Sequence, residues 1–168
     1  MIKIGNIKEA KNVFVEYDLY IPIDIKLGKR NNVSESILYW RIGDFEKTLV
    51  EIGIERNNKE ICSITLVICD KVYESEKIYN SFQSMIIGCP MVVLNNLEER
   101  AYIDESKSVE VYFEKNNVYI LFSKNDAKVC IINGNIEFLV DAENNWVGIC
   151  IKDIAEESLN ILRHSLST

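Results

Sequence analysis

The chain has one histidine, His164, in 168 residues. Any Ser-His-Asp or Cys-His arrangement, and any zinc site of the Cys/His type, would have to use it. It follows Leu162 by two positions in a helical pattern and so turns away from the apolar stripe, which makes it a solvated side chain. No catalytic residue and no metal ligand is assigned. The seven glycines (Gly5, Gly28, Gly43, Gly53, Gly88, Gly134 and Gly148) stand alone. Neither G-x-G-x-x-G nor G-x-x-x-x-G-K-S/T occurs, so glycine-rich phosphate cradles are excluded, and no cofactor is expected. The D-x-D/N-x-D/N-G calcium loop is also missing. With 2 prolines and no Gly/Ser-rich run, a flexible linker is excluded. Residues 1–168 read as a single domain, with sub-lobes at about 1–104 and 105–168.

Positive charge is scarce: 19 Lys and Arg face 26 Asp and Glu, for a net charge of −7. Nucleic-acid binding, which needs a cationic face to displace counterions, is not expected. No run approaches the roughly 20 apolar residues that span a bilayer, so no membrane partner is expected. The N-terminus lacks the apolar core of about 7–15 residues that marks a signal peptide, and the cytoplasm is the expected location. The five cysteines (Cys62, Cys69, Cys89, Cys130, Cys150) are odd in number and show no C-x-x-C spacing. They read as free thiols, small core residues in a reducing compartment.

What the chain does contain is strand grammar. Val50, Ile52 and Ile54 alternate with Glu51, Gly53 and Glu55, the period of a half-buried strand. Arg56-Asn57-Asn58-Lys59 interrupts the pattern, with asparagines suited to the positive φ of a tight turn, and β-branched residues resume from Ile61 to Ile68. Extended pieces are expected at 12–18 and 19–25, with Pro22 marking an edge or bulge, and a strand at 36–42 after a loop at 27–32. Residues 70–83 are polar and fit either a loop or a short helix. A short strand is expected at 91–94, and 97–104 fits a helical turn or an edge strand. From Val109 onward, strands at 109–113, 118–122, 129–132, 136–141 and 146–151 are separated by turns, Asn133-Gly134 being the strongest hairpin signal. These predict an antiparallel meander.

The C-terminus reads as a helix, with Ala155, Leu159, Leu162 and Leu166 on one face. Asp153 has the position of an N-cap and Glu156 completes a capping-box spacing. The fold class expected is α+β: antiparallel sheets built from successive hairpins, with the C-terminal helix packed on the sheet of residues 109–151. There is also an internal echo. Glu55-Arg56-Asn57-Asn58, ahead of a strand carrying Cys62, resembles Ala142-Glu143-Asn144-Asn145, ahead of one carrying Cys150. Aligned on the asparagines, the two cysteines fall one position out of register, on opposite faces.

Val140-Asp141-Ala142-Glu143-Asn144-Asn145-Trp146-Val147-Gly148-Ile149-Cys150-Ile151 resembles the signature of a family of small bacterial domains of uncharacterised activity. These run strand, acidic turn, V-G-I-E-I strand and short helix. The resemblance covers residues 140–168, and Cys150 stands where that pattern has glutamate. In general character the whole chain resembles the immunity proteins that bacteria encode beside polymorphic toxins: small, acidic, cytoplasmic and free of catalytic motifs. That likeness implies a non-enzymatic binding protein whose partner is a basic toxin domain.

The candidate surface follows from aromatics and carboxylates. Tyr39-Trp40 and Tyr112-Phe113 are consecutive, so within a strand each pair points to opposite faces. Either both faces are covered, or one ring of each pair is an outward anchor with an acidic rim. The candidate partner-binding residues are Trp40, Asp44, Glu46, Asp104, Glu105, Asp141 and Glu143, on a chain acting as a monomer or homodimer. An alternative expectation is a small-molecule-binding or structural β domain with an apolar pocket between two lobes.

Overall fold

The computed structural model describes residues 1–29, 36–76, 78, 81–96 and 99–167. Parts of three expected segments lie outside the described residues: 30–32 of the 27–32 loop, 77 and 79–80 of the 70–83 stretch, and 97–98 of the 97–104 stretch. The fold is α+β, built almost wholly of strands, with one helix among the described residues. In chain order the strands are β1 (Lys3–Lys8), β2 (Val13–Glu16), β3 (Ile23–Leu27), β4 (Ile37–Gly43), β5 (Thr48–Glu55), β6 (Ile61–Cys69), β7 (Val72–Glu74) and β8 (Ser84–Ile87). They continue as β9 (Cys89–Val93), β10 (Tyr102–Ser106), β11 (Glu110–Glu114), β12 (Asn117–Leu121), β13 (Val129–Asn133), β14 (Ile136–Val140) and β15 (Trp146–Ile151), and α1 (Glu156–Leu166) ends the chain.

Two sheets carry the fold, in spatial orders β10-β4-β5-β6-β3-β2 and β7-β11-β12-β15-β14-β13-β8, and β1 with β9 forms a small third sheet. The expected hairpins are present, but the last third is not a simple meander. β12 pairs with β15 instead of β13. Every residue of β15 is buried, so this strand needs apolar neighbours on both edges as well as both faces, and the 122–128 connection carries the chain past it.

The two large sheets follow one topology. A hairpin (β2-β3 or β11-β12) is followed by a meander (β4-β5-β6 or β13-β14-β15). The last strand of each meander returns antiparallel to the second strand of its hairpin, which is a Greek-key order. Each meander's first strand then takes a parallel edge partner, β10 on β4 and β8 on β13. The equivalence extends to register. Cys62 and Val147, each second in its strand, are the extra residues of bulges opposite Gly53/Ile54 and Leu139/Val140. The two turns of the sequence echo therefore occupy equivalent connections, β5–β6 and β14–β15. Their cysteines do not correspond: through the pairing with β3 and β12, Cys150 matches Thr65.

The sheets face each other across one core. Trp40 from the first meets Phe122 and Trp146 from the second, and Phe138 completes the cluster, with ring centroids 5.5 to 5.8 Å apart. The space between the sheets is thus filled by aromatic side chains. α1 adds Leu159 and Leu162 to this same core, joined by Ile154, while Ala155 is exposed. Its first turn also differs from expectation. Asp153 has φ 53° and lies outside the helix, and the N-cap position falls to Ala155, which makes no side-chain cap bond. Ala155 is extended, Ile154 before it is buried, and the helix starts at Glu156, past the capping-box spacing.

Candidate functional site: an open acidic and aromatic sheet face

In the first sheet, Leu38, Trp40 and Ile42 of β4 and Val50, Ile52 and Ile54 of β5 point into the core. The strand period therefore turns the intervening residues outward. The cross-strand register aligns them in two rows. One row reads Tyr102, Tyr39, Gly53, Ser63, Lys26 and Phe14; the next reads Asp104, Arg41, Glu51, Thr65, Asp24 and Glu16. No described element covers this face, and its side chains are half-buried or exposed. Gly53 is filled over in the first row by its neighbours, an added Cβ standing 2.4 Å from Ser63 Oγ and 3.2 Å from Cys62 Sγ.

Arg41 anchors one end. Its Nε and one terminal nitrogen donate to the two carboxylate oxygens of Asp104, each at 2.7 Å, and its guanidinium lies 4.4 Å from the Tyr102 ring centroid and 6.0 Å from that of Phe45. This bidentate pair holds the Asp104 pKa below the usual carboxylate value. Tyr39 and Tyr102 stack at 6.0 Å. Beside them the β4–β5 turn projects Phe45 and Glu46, both exposed. Lys26 pairs with Asp24 at 3.0 Å. Glu51 stands opposite Arg41 and shares its charge with Asp104, and among the described residues Glu16 and Glu46 have no ion pair, so the carboxylates of this face outnumber its cations Arg41 and Lys26.

The sequence-predicted residues divide sharply over the structure. Asp44, Glu46 and Asp104 lie on or beside the open face. Trp40 does not: it is 1% exposed, and its indole N–H donates to Glu105 at 3.0 Å. The expectation of Trp40 as an outward anchor is thus corrected. Pleating places Trp40 and Tyr39 on opposite sides, and Trp40 is the one that meets Phe122 and Trp146 across the core. Tyr39 is the outward ring. Glu105 likewise turns away from Asp104. It meets the Met1 amino group at 3.2 Å and the Lys107 amine at 2.5 Å, and although burial raises its pKa, these cations bring it below its ordinary value.

Asp141 belongs to a different place and role. It is 5% exposed at the β14–β15 turn. One oxygen accepts the backbone N–H groups of Glu143 and Asn145, each at 2.9 Å; the other accepts the side-chain amides of Asn145 at 2.9 Å and Asn125 at 2.7 Å. Burial raises its pKa, but these hydrogen bonds outweigh burial and leave it lowered. Glu143 is exposed on that same turn, remote in the topology from the first sheet. Asp44 also organises a turn, accepting from the amides of Glu46 at 3.0 Å and of Lys47 and Thr48 at 2.8 Å, which pull its pKa down to about 2.

Tyr112-Phe113 splits in the same sense, but its outward ring is covered in part. Phe113 is in the core, and Tyr112 lies on an outer face covered in part by Ile78 and Phe82. Next to it is a cleft of about 460 Å³ lined by Ile78, Glu110, Tyr112, Leu121, Ser123, Lys124, Asn125 and Asp126. Among the described residues, no group of three or more His, Cys, Asp or Glu side chains could hold a metal ion, and no helix is long and apolar enough to cross a membrane. Sequence reasoning missed Tyr39, Arg41, Glu51 and Tyr102. Their signal was the polar phase of each strand, opposite the apolar one. No family model matches the chain, and no curated protein matches it.

Proposed function

We propose that this protein is a non-enzymatic binding protein that neutralises a basic protein partner, as an immunity protein neutralises a toxin, through the open face of its six-stranded sheet. The observation that carries this reading is the coincidence of stacked rings with an excess of carboxylates on a sheet face that no described element covers. Tyr39, Tyr102 and Phe45 offer rigid contact area at small entropic cost. Glu16, Glu46 and Glu51 offer charge to a cationic partner, and Arg41 is already held in place by Asp104. The test is capture of a partner from the native host with tagged protein, washed at low and then high salt. A basic protein retained at low salt and shed at high salt is expected. Reversing Glu46 and Glu51 to lysine should slow its association roughly tenfold or more at low salt, whereas Glu143→Lys should leave it unchanged. Capture insensitive to salt and to both reversals would overturn the proposal.

The cleft beside Tyr112 supports a second reading, binding of a small polar molecule. Its volume of about 460 Å³ suits a ligand, and Lys124 and Asp126 give it both signs of charge. A ligand bound there must raise the melting temperature, and Leu121→Trp should abolish that rise.

A further inference from the structure

The hairpin and meander of the two sheets correspond in register, so the strands that edge the two meanders, both drawn from the segment between the repeats, can be compared position by position. β10 and β8 are equivalents, each parallel to the first strand of a meander: Tyr102, Ile103 and Asp104 of β10 match Met85, Ile86 and Ile87 of β8. β10 is a guarded edge, with Asp104 and Glu105 in the strand and Lys107 just past it. Among the described residues of β8, none is charged. β8 is the last strand of its sheet, Met85 is 60% and Ile87 80% exposed, and no charged residue occurs anywhere from 78 to 97. A bare apolar edge in one repeat, beside a charged edge at the same position of the other, calls for a partner strand.

We infer that β8 pairs antiparallel with β8 of a second copy of this chain, about a twofold axis at Ile86. The charge distribution selects this occupant. Two molecules of net charge −7 repel over most of their surfaces, and this stretch lets them approach without opposing carboxylates. A basic partner would gain nothing from a strand without charge and would meet its complement on the acidic face instead.

The backbone sets the register. The amides of Gln83 and Ser84 share the carbonyl of Lys128, just before β13, at 2.7 and 3.4 Å, and the Gly88 amide donates to the carbonyl of Ile132 at 2.9 Å. The alternation of a parallel ladder then directs the N–H and C=O of Met85 and Ile87 outward. A twofold pairing that uses both residues joins Met85 of one copy to Ile87 of the other and sets the two Ile86 residues opposite each other. That gives four backbone hydrogen bonds and puts Met85 against Ile87 on one face, in a sheet continuous through both copies. This association is independent of the proposed acidic-face function.

The test is sedimentation equilibrium of the full chain over a wide concentration range. A reversible dimer of twice 19.4 kDa is expected. Ile87→Lys and Met85→Pro should each make it monomeric with an unchanged circular dichroism spectrum; the proline removes an outward N–H and no ladder bond. Ile86→Cys should form a disulfide-linked dimer on mild oxidation, and Met85→Cys, which faces Ile87 of the other copy, should not. A protein that stays monomeric up to millimolar concentration, or a dimer that survives both Ile87→Lys and Met85→Pro, would overturn the inference.

Discussion

Replacing Asp141 by alanine separates a structural carboxylate from a binding one. The side chain satisfies four donors, of which the Asn145 backbone N–H and side-chain amide are buried. The donors on Glu143 and Asn125 are nearer solvent and can turn to water. Stranding two buried donors at about 1–3 kcal/mol each predicts a loss of roughly 2–5 kcal/mol, since water entering the truncated site recovers part of the cost. Urea denaturation followed by tryptophan fluorescence measures this directly, both tryptophans being in the core. With a slope of about 2 kcal/mol per molar, the midpoint should fall by roughly 1–2.5 M at unchanged slope. Asp141→Asn should cost less, about 1–2 kcal/mol, because its oxygen still accepts the two backbone amides while its nitrogen confronts the Asn125 and Asn145 side chains. The pH dependence has a definite sign. A carboxylate whose folded pKa is lowered stabilises fully above the unfolded value, and that stability is lost as pH falls through the folded one. Asp141→Asn should therefore flatten the acid limb of the stability curve. An alanine variant within about 0.5 kcal/mol of wild type would refute the reasoning, as would one that loses a partner at unchanged stability.

Four further outcomes are expected. An NMR titration should place the Asp44 carboxyl at about 2, with the order of the β4–β5 turn lost as pH falls through that value and Asp44→Asn abolishing the transition. Gly43→Ala should destabilise by about 1–3 kcal/mol or more in urea, since φ is 150° there and an added Cβ would stand 1.9 Å from the Thr48 carbonyl oxygen. Glu46→Lys with Glu51→Lys should slow capture of a basic partner while Glu143→Lys does not, read by surface plasmon resonance at two salt concentrations. Ile87→Lys should abolish self-association, read by sedimentation.

Much of the fold was legible because strand periodicity is local. The alternation at 50–54 and 109–113, the Asn133-Gly134 turn and the leucine face of α1 all reappear as β5, β11, a hairpin and a buried helix stripe. Some turns used other residues than expected. Positive φ falls on Lys59, Lys115 and Asn144, and not on Asn57 or Asn58, because loop length decides which residue sits at the corner. The return of β15 to β12, and of β6 to β3, was not legible, since pairing across a long connection leaves no periodic mark. β1, β7 and β8 are short or weakly alternating and depend on tertiary partners. Period-two alternation shows that Tyr39 and Trp40 part company, but not which of them faces inward; that depends on the opposing sheet, where Phe122 and Trp146 receive the indole.

The same pleating explains why clustering of carboxylates along the chain was a poor guide to the site. Adjacent Asp104 and Glu105 are sent to opposite sides of β10, one to a guanidinium on the open face and the other to an indole. Asp141 and Glu143 share a turn, but only Asp141 folds back to hold it. Carboxylates that share a row of the open face come from different strands far apart in the chain: Asp104 and Glu51 flank Arg41, and Glu51 and Asp24 flank Thr65. In a fold that runs one topology twice, the informative comparison is between equivalent positions. Asp24 and Thr65 on the open face correspond to Tyr119 and Cys150 on the covered one, and Asp104 on the guarded edge corresponds to Ile87 on the bare one. Packing constrains both repeats alike along their inward rows. Outward positions that differ in polarity between the repeats follow what lies over each sheet: Tyr119 and Cys150 belong to a second apolar cluster covered in part by Ile78 and Phe82, whereas Asp24 and Thr65 lie on the face that no described element covers.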